Sequence, residues 1–390
     1  MKDFIYYTPT EVVFGKDAES KTGEYALKFG KKALLVYGMG SVIKSGLLDK
    51  ITASLDDANV SYVLFGGAKP NPTVEHARLG INVAIEENVD LVIGIGGGSA
   101  IDTAKAIAHG AANPSEDIWD IWTKKVSLTK SLPVGAILTI PAAGSEMSDS
   151  AVLTNTELGK KQGINTPFNR PKFSIVNPSY GATVSKYQLA CGITDIMMHT
   201  MERYFIPGIK ADLTDELAEG LLRTVIINGL IILDDPTNYD AMAEIFWASS
   251  LSHNGLTECG RGKDFSVHKL GHALSARYDV AHGASLSCVW GAWAMEVYSG
   301  AIERFARFAR NVFNINLEDE NELALEGIKK TVEFFKTIGM PTSLTELDCQ
   351  ITLDDIDALA MDATQNDTVK LSRIKPLGLS EVTRIYKNVL

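Results

Sequence analysis

The sequence predicts an α/β domain on a parallel sheet, followed by an all-helical domain. Three observations carry that reading. Short β-branched runs alternate with helix-periodic stretches through the first half of the chain. Glycine-rich turns stand where strand passes to helix. After about residue 180 the β-branched runs thin out and helical periods continue to the end. A chain of 390 residues, 45% apolar and 22% charged, has room for two such domains, here drawn at 1–180 and 181–390.

Ala33–Tyr37 reads as a first strand and Val42–Ser54 as a helix. Tyr62–Phe65 and Val74–Glu87 repeat the pair, and so do Leu91–Ile95 and Ser99–His109, with Ser99 as the helix cap. Val134–Ile140 is a further buried-type strand. Strands spaced by helices of this length form a parallel sheet covered on both faces. The polar stretch Thr154–Gly163 reads as a turn between two short strands, a hairpin on this layer. In the second half, Ser185, Thr194, Asp212, Thr352 and Ser380 each precede an apolar-periodic run and read as helix starts. A crevice between the domains is the expected place for a ligand.

The net charge of −11 argues against a nucleic-acid partner. The start, MKDFIYYTPTEVVFG, lacks a signal-peptide pattern, and the most apolar stretch, 221–233, contains Arg223 and Asn228 and is too short for a bilayer. Four cysteines with no CxxC pair fit a reduced, cytoplasmic compartment.

Leu91–Ser99 reads LVIGIGGGS. The glycines Gly96, Gly97 and Gly98 let backbone approach an anion closely, and the following helix N-terminus offers free N–H groups, as a pyrophosphate needs. Asp102 and Lys105 lie one turn on. The same pattern also fits a tight strand–helix turn with no ligand, since the last position of a full GxGxxG is Ser99. A second such turn, Tyr37-Gly38-Met39-Gly40-Ser41, ends the first strand. A dinucleotide's adenosine ribose fits there, and Gly38 stands where an NAD site usually has an acidic residue. An ordinary turn is again the alternative.

Of seven histidines, four fall in two stretches. Asp195 and His199 are i and i+4, as are His268 and His272, and His282 follows. Imidazole and carboxylate at that spacing build first-row metal sites in helical bundles, although a lone pair is more often structural. Three histidines and an aspartate suit Zn2+ or Fe2+ rather than Mg2+ or Ca2+. His76, His109 and His253 show no partner pattern and read as surface or core residues. A nucleotide turn and a metal together point to metal-assisted hydride transfer.

At these residues the chain resembles the iron-containing (group III) alcohol dehydrogenases. The resemblance runs through Tyr7–Thr10 to Phe14-Gly15, Asn71-Pro72-Thr73, Gly96–Ser99 with Asp102, Ala104 and Lys105, and Thr139–Glu146. It continues through Asp195–His199, His268–His282 and Ile338–Pro341. Tyr37–Val42 is most similar to the NADPH-dependent butanol dehydrogenase and aldehyde reductase branch. The resemblance implies a Rossmann-like, dehydroquinate synthase-like N-terminal domain plus an all-α C-terminal domain. It implies Asp195, His199, His268 and His282 as ligands of one divalent metal, Fe2+ or Zn2+, with His272 near the nicotinamide as a proton relay. It places Gly38, Gly40, Ser41, Asn71, Gly96, Gly97, Gly98, Ser99, Asp102, Thr139, Ser148 and Lys161 on NADP(H). Ala142-Ala143 stands where the family commonly has other residues before its glycine, so the contacts there depart from the pattern. The implied reaction interconverts primary alcohols and aldehydes, in a homodimer joined by an N-terminal hairpin within Phe4–Phe14. Rival readings are a polyol or glycerol dehydrogenase, the lyase dehydroquinate synthase, and a metal-dependent hydrolase whose turn binds phosphate only.

Overall fold

Six parallel strands form one sheet: β1 (Glu11–Phe14), β2 (Lys32–Tyr37), β3 (Ser61–Phe65), β4 (Leu91–Gly96), β5 (Val134–Leu138) and, after a hairpin, β8 (Phe173–Val176). The hairpin pairs β6 (Ser150–Asn155) with β7 (Lys160–Asn165), antiparallel. The structure, a computed structural model, describes residues 1–390. Its contacts divide into two units: Tyr7–Thr183, and Met1–Tyr6 with Val184–Leu390.

In the first unit the helices are α1 (Thr22–Leu27), α2 (Ser41–Lys44), α3 (Leu47–Asp57), α4 (Val74–Glu86), α5 (Gly98–Ala112) and α6 (Ile118–Trp122). β4 is buried at every residue, as its unbroken apolar run requires of a strand covered on both faces. Alternate side chains serve opposite cores. Leu35, Ile93, Ile137 and Ile175 pack with Leu47, Ile51 and Leu55 of α3. Leu34, Val36, Val92 and Val134 pack with Ala84 of α4 and with Ala104 and Ile107 of α5.

The strand order across the sheet is β3-β2-β4-β5-β8-β1. The chain leaves β2 for β3 on one side, and α4 then carries it back past β2 to β4 on the other. The carboxyl ends of β2 and β4 therefore flank a topological switch point, where open α/β sheets bind ligands. The two glycine-rich turns occupy these two strand ends, and Tyr37 pairs with Ile95 just before them.

Several local expectations are corrected. Val42–Ser54 is two helices, because Gly46 takes φ +73° between α2 and α3. The N-cap of α5 is Gly97, not Ser99, and it makes no side-chain cap bond. The Val134–Ile140 strand stops at Leu138. No N-terminal hairpin forms within the chain: residues 1–10 hold no regular element, and β1 is an edge strand parallel to β8.

The second unit is helical: α7 (Lys186–Tyr204), α8 (Asp212–Asp234), α9 (Tyr239–His253), α10 (Ser266–Tyr278), α11 (His282–Val297), α12 (Ile302–Phe313), α13 (Glu320–Thr337), α14 (Leu353–Ala363) and α15 (Leu379–Lys387). Ser185 caps α7 by accepting from the Gln188 N–H at 3.3 Å, and Thr352 forms a capping box with Asp355. Thr194 starts no helix. It lies inside α7, where its hydroxyl donates to the Ala190 carbonyl at 2.9 Å. Ser380 is likewise one residue inside α15, whose N-cap is Gly378. α7 is buried almost throughout from Leu189 to Tyr204. A buried Asp215 anchors its far end: it accepts from Arg261 at 2.7 Å and from Arg304 at 2.8 Å, and both arginines also donate to carbonyls just after α7 or at its end, Ile206 and Tyr204. No helix is long and apolar enough to cross a membrane, and none of the four cysteines is in a disulfide.

Candidate active site

The helical unit gathers Asp195, His268 and His282 so that one ligand atom from each lies within 4.8 Å of the others. α7 places Asp195 and His199 one turn apart on one face. α10 supplies His268 from its first turn, and His282 is the first residue of α11. Asp195 Oδ1 lies 3.3 Å from His199 Nε2, 3.6 Å from His268 Nε2 and 3.6 Å from His282 Nε2. Donors held at about 2.0–2.1 Å around a tetrahedral ion stand roughly 3.3–3.4 Å from one another. The spacing therefore fits an ion of that size. His268 Nε2 is buried and has no hydrogen-bond partner, as expected of an atom whose partner is a metal. Three imidazoles and a carboxylate favour Zn2+ or Fe2+ over oxygen-seeking Mg2+ or Ca2+.

Protonation follows from the surroundings. Burial holds His199 well below its usual range, and His253 and His268 add to that, so its ring is neutral and able to ligate. Burial works against the charged form of His268 too, but Glu202 and Asp195 outweigh it and raise the group to about 9. A cation held at Nε2 would take the place of that proton.

Glu202 was not legible as a site residue. Its carboxylate is buried beneath the site and accepts from His268 Nδ1 and from the Val267 N–H at 2.6 Å. That bond turns His268 so that Nε2 faces Asp195, the usual device for orienting a ligating imidazole. The available signal was its position on α7, seven residues after Asp195 and therefore on the same face. His253 is a core residue, one of the two readings the sequence allowed, and its ring stacks on His199 at 3.9 Å between centroids, a contact that the sequence did not announce. His272 lies one turn beyond His268, partly exposed, with its ring 5.5 Å from that of His282. Neither His272 nor His199 is among the three donors that lie within 4.8 Å of one another, although His199 Nε2 approaches Asp195 Oδ1 at 3.3 Å.

The two glycine-rich turns are built within the α/β unit. Gly96 takes φ +149°, and a Cβ there would lie 3.0 Å from that of Ala100, so the turn into α5 needs glycine. Gly97 and Gly98 follow, and Ser99 sits in the first turn of α5, whose opening N–H groups face the strand end. Thr139 joins them, its N–H donating to the Gly96 carbonyl at 3.0 Å. Across the switch point, Gly38, Gly40 and Ser41 lead into α2, with Ser41 exposed. Lys161 of β7 donates to Asn71 Oδ1 at 2.8 Å, which unites two residues ninety positions apart.

Two expected cofactor residues, Asp102 and Ser148, also bond within the unit. Asp102 accepts from Ser145 Oγ at 2.6 Å and from the Val152 N–H at 2.8 Å. Burial pushes it up, while Lys105, Ser145 and Val152 pull it down. Lys105, fully buried, donates to Ser145 and to the Ser150 carbonyl, and burial lowers it to about 8. The pair fastens the 145–152 segment to α5. Ser148 is buried, and its hydroxyl bonds its neighbour Ser150.

The family model for iron-containing alcohol dehydrogenase matches residues 9–178, and that for the C-terminal part of the Fe-containing alcohol dehydrogenase family matches 189–390. NADH-dependent butanol dehydrogenase A of Clostridium acetobutylicum is 39% identical over 389 residues, 99% of each chain. The NADPH-dependent aldehyde reductase YqhD of Escherichia coli is 33% identical over 389 residues, again 99% of each. The crystal structure of NADH-dependent butanol dehydrogenase A from Thermotoga maritima superposes with a TM-score of 0.95 at 35% identity, covering 100% of this chain and 99% of that one.

Proposed function

The chain belongs to the iron-containing alcohol dehydrogenase family, and on that premise we propose that it interconverts butanol-like primary alcohols and their aldehydes with NADP(H). The clustering of Asp195, His268 and His282, with His199 beside them, carries the reading. These four residues would hold the divalent ion. When bound, the ion supplies Lewis acidity toward an alcohol or carbonyl oxygen, and the nicotinamide supplies or accepts the hydride. Glu202 orients His268, and burial keeps His199 neutral. The turns at Gly38–Ser41 and Gly96–Ser99 bind the adenosine and pyrophosphate ends, with Thr139, Asn71 and Lys161 beside them. Asp102 and Ser148 support that surface from beneath.

The relatives divide over the reductant, one named NADH-dependent and another NADPH-dependent. What supports NADPH here is the lack of an acidic side chain where β2 ends. The test is a panel of straight-chain aldehydes with NADPH and NADH in parallel, using protein loaded with Fe2+ or Zn2+. Reduction with NADPH favoured by about 10-fold or more in kcat/KM is expected. No aldehyde reduction with either cofactor would overturn the reading.

His272 has the role of proton relay. His272→Ala should keep its metal and lose about 10²-fold in kcat. Loss of the metal in that variant would make His272 a ligand instead.

The subunit contact is assigned to Phe4–Phe14, where Phe4, Ile5, Tyr6, Tyr7 and Phe14 are exposed and β1 forms the sheet edge. Removing residues 1–14 should convert a dimer to a monomer in sedimentation. An unchanged mass would refute that contact.

A further inference from the structure

The histidines on either side of Asp195 are held by different means. His268 is turned by its bond from Nδ1 to Glu202. His199 has no counterpart to that bond: its Nδ1 is buried and makes no hydrogen bond. Arg203 donates to the His199 carbonyl at 2.5 Å, which fixes the backbone but not the ring. The torsion that swings an imidazole about its Cβ–Cγ bond is broad, so with Nδ1 unbonded the ring's aim rests on its packing and on the 3.3 Å approach of Nε2 to Asp195 Oδ1.

The packing is specific. His253, the last residue of α9 and only 7% exposed, lies against the face of His199 with centroids 3.9 Å apart and planes 26° from parallel. Phe265 meets the same ring edge-on at 5.8 Å, and His268 lies 4.4 Å away. Turning the His199 ring about its stem would drive its edge into the plane of His253.

We propose that His253 is a positioning residue that holds the His199 ring by stacking, in place of the hydrogen bond that usually orients a ligating imidazole. The proposal rests on the reading of His199 as a ligand. It assigns His253 no contact with metal or substrate. Its work is done by a flat ring at that spot, not by its nitrogens.

Four variants separate these roles: His253→Ala removes the ring, His253→Leu fills the space without a plane, His253→Phe keeps the plane without nitrogens, and His199→Ala tests the premise. Each full-length protein is titrated with Zn2+ against a chromogenic chelator, and with Co2+ to follow the visible spectrum of the bound ion. Thermal melts confirm folding. Ala and Leu should weaken Zn2+ binding by about 10–100-fold and alter the Co2+ spectrum, whereas Phe should return both close to wild type. Wild-type affinity in His253→Ala, or in His253→Leu, would overturn the proposal. So would a Phe variant as weak as Ala, which would put the function in the ring nitrogens. Wild-type binding in His199→Ala would instead remove the premise, and that result is read independently of the His253 series.

Discussion

Asp195→Asn is expected to release the divalent ion and to lower kcat/KM for butanal by at least about 10³-fold, since Lewis-acid stabilisation amounts to several kcal/mol and each 1.4 kcal/mol is about tenfold. Asp195 Oδ1 is the shared vertex of the site, within 3.3 to 3.6 Å of three imidazole nitrogens. The amide keeps the shape and removes the only negative charge among the four proposed ligands. Three imidazoles are then left to hold a dication without a carboxylate. Metal content per chain, measured beside turnover, checks the expectation. A full complement of metal with full activity would sink the ligand assignment. His268→Ala should also empty the site, but it is the less clean variant. It strips the buried Glu202 of its side-chain partner, and breaking such a pair costs about 3–5 kcal/mol, so lost stability would mix with lost metal.

What let the sequence single out Asp195, His199 and His268 is that helical periodicity is local. An i, i+4 pair declares its shared face within five residues of sequence. The strands were legible for a similar reason: β4 is buried on both faces, and no polar residue interrupts it. The supports of the site follow no such rule. Glu202 meets His268 across 66 residues, and His253 reaches His199 from another helix. Tertiary packing decides those contacts, and sequence spacing carries no trace of which helices become neighbours. Asp102, which the resemblance places on the cofactor, carries contacts of the same long-range kind: its carboxylate accepts from Ser145 and from the Val152 N–H. Helix starts failed where a Ser or Thr could satisfy its hydroxyl otherwise, as Thr194 does inside α7 by bonding Ala190.

Gly38→Asp should reverse the cofactor preference. β2 ends at Tyr37, and the segments 38–48 and 66–74 that leave β2 and β3 carry Lys44 and Lys69 but no acidic residue. That corner of the switch point therefore offers positive charge and backbone donors to a 2′-phosphate, with no carboxylate to accept ribose hydroxyls. The substitution is sterically mild. A Cβ at Gly38 would approach only the Ala68 carbonyl, at 3.4 Å, and no left-handed φ is required there. Gly40 is the turn's strained residue, at φ +132°, and it is left untouched. A carboxylate next to a phosphate of nearly two negative charges should cost about 1–3 kcal/mol at a partly exposed site, or roughly 10- to 100-fold in NADPH affinity. NADH lacks the phosphate and gains an acceptor for its ribose hydroxyls, so its binding should hold or improve. The measurement is the ratio of kcat/KM for NADPH to that for NADH, in wild type and variant, at two ionic strengths. The shift should shrink at the higher salt, because the repulsion is screened. A wild-type preference for NADH, or a ratio that Gly38→Asp leaves unmoved, would place the adenosine end away from this turn and transfer its binding to other residues at the carboxyl edge of the sheet.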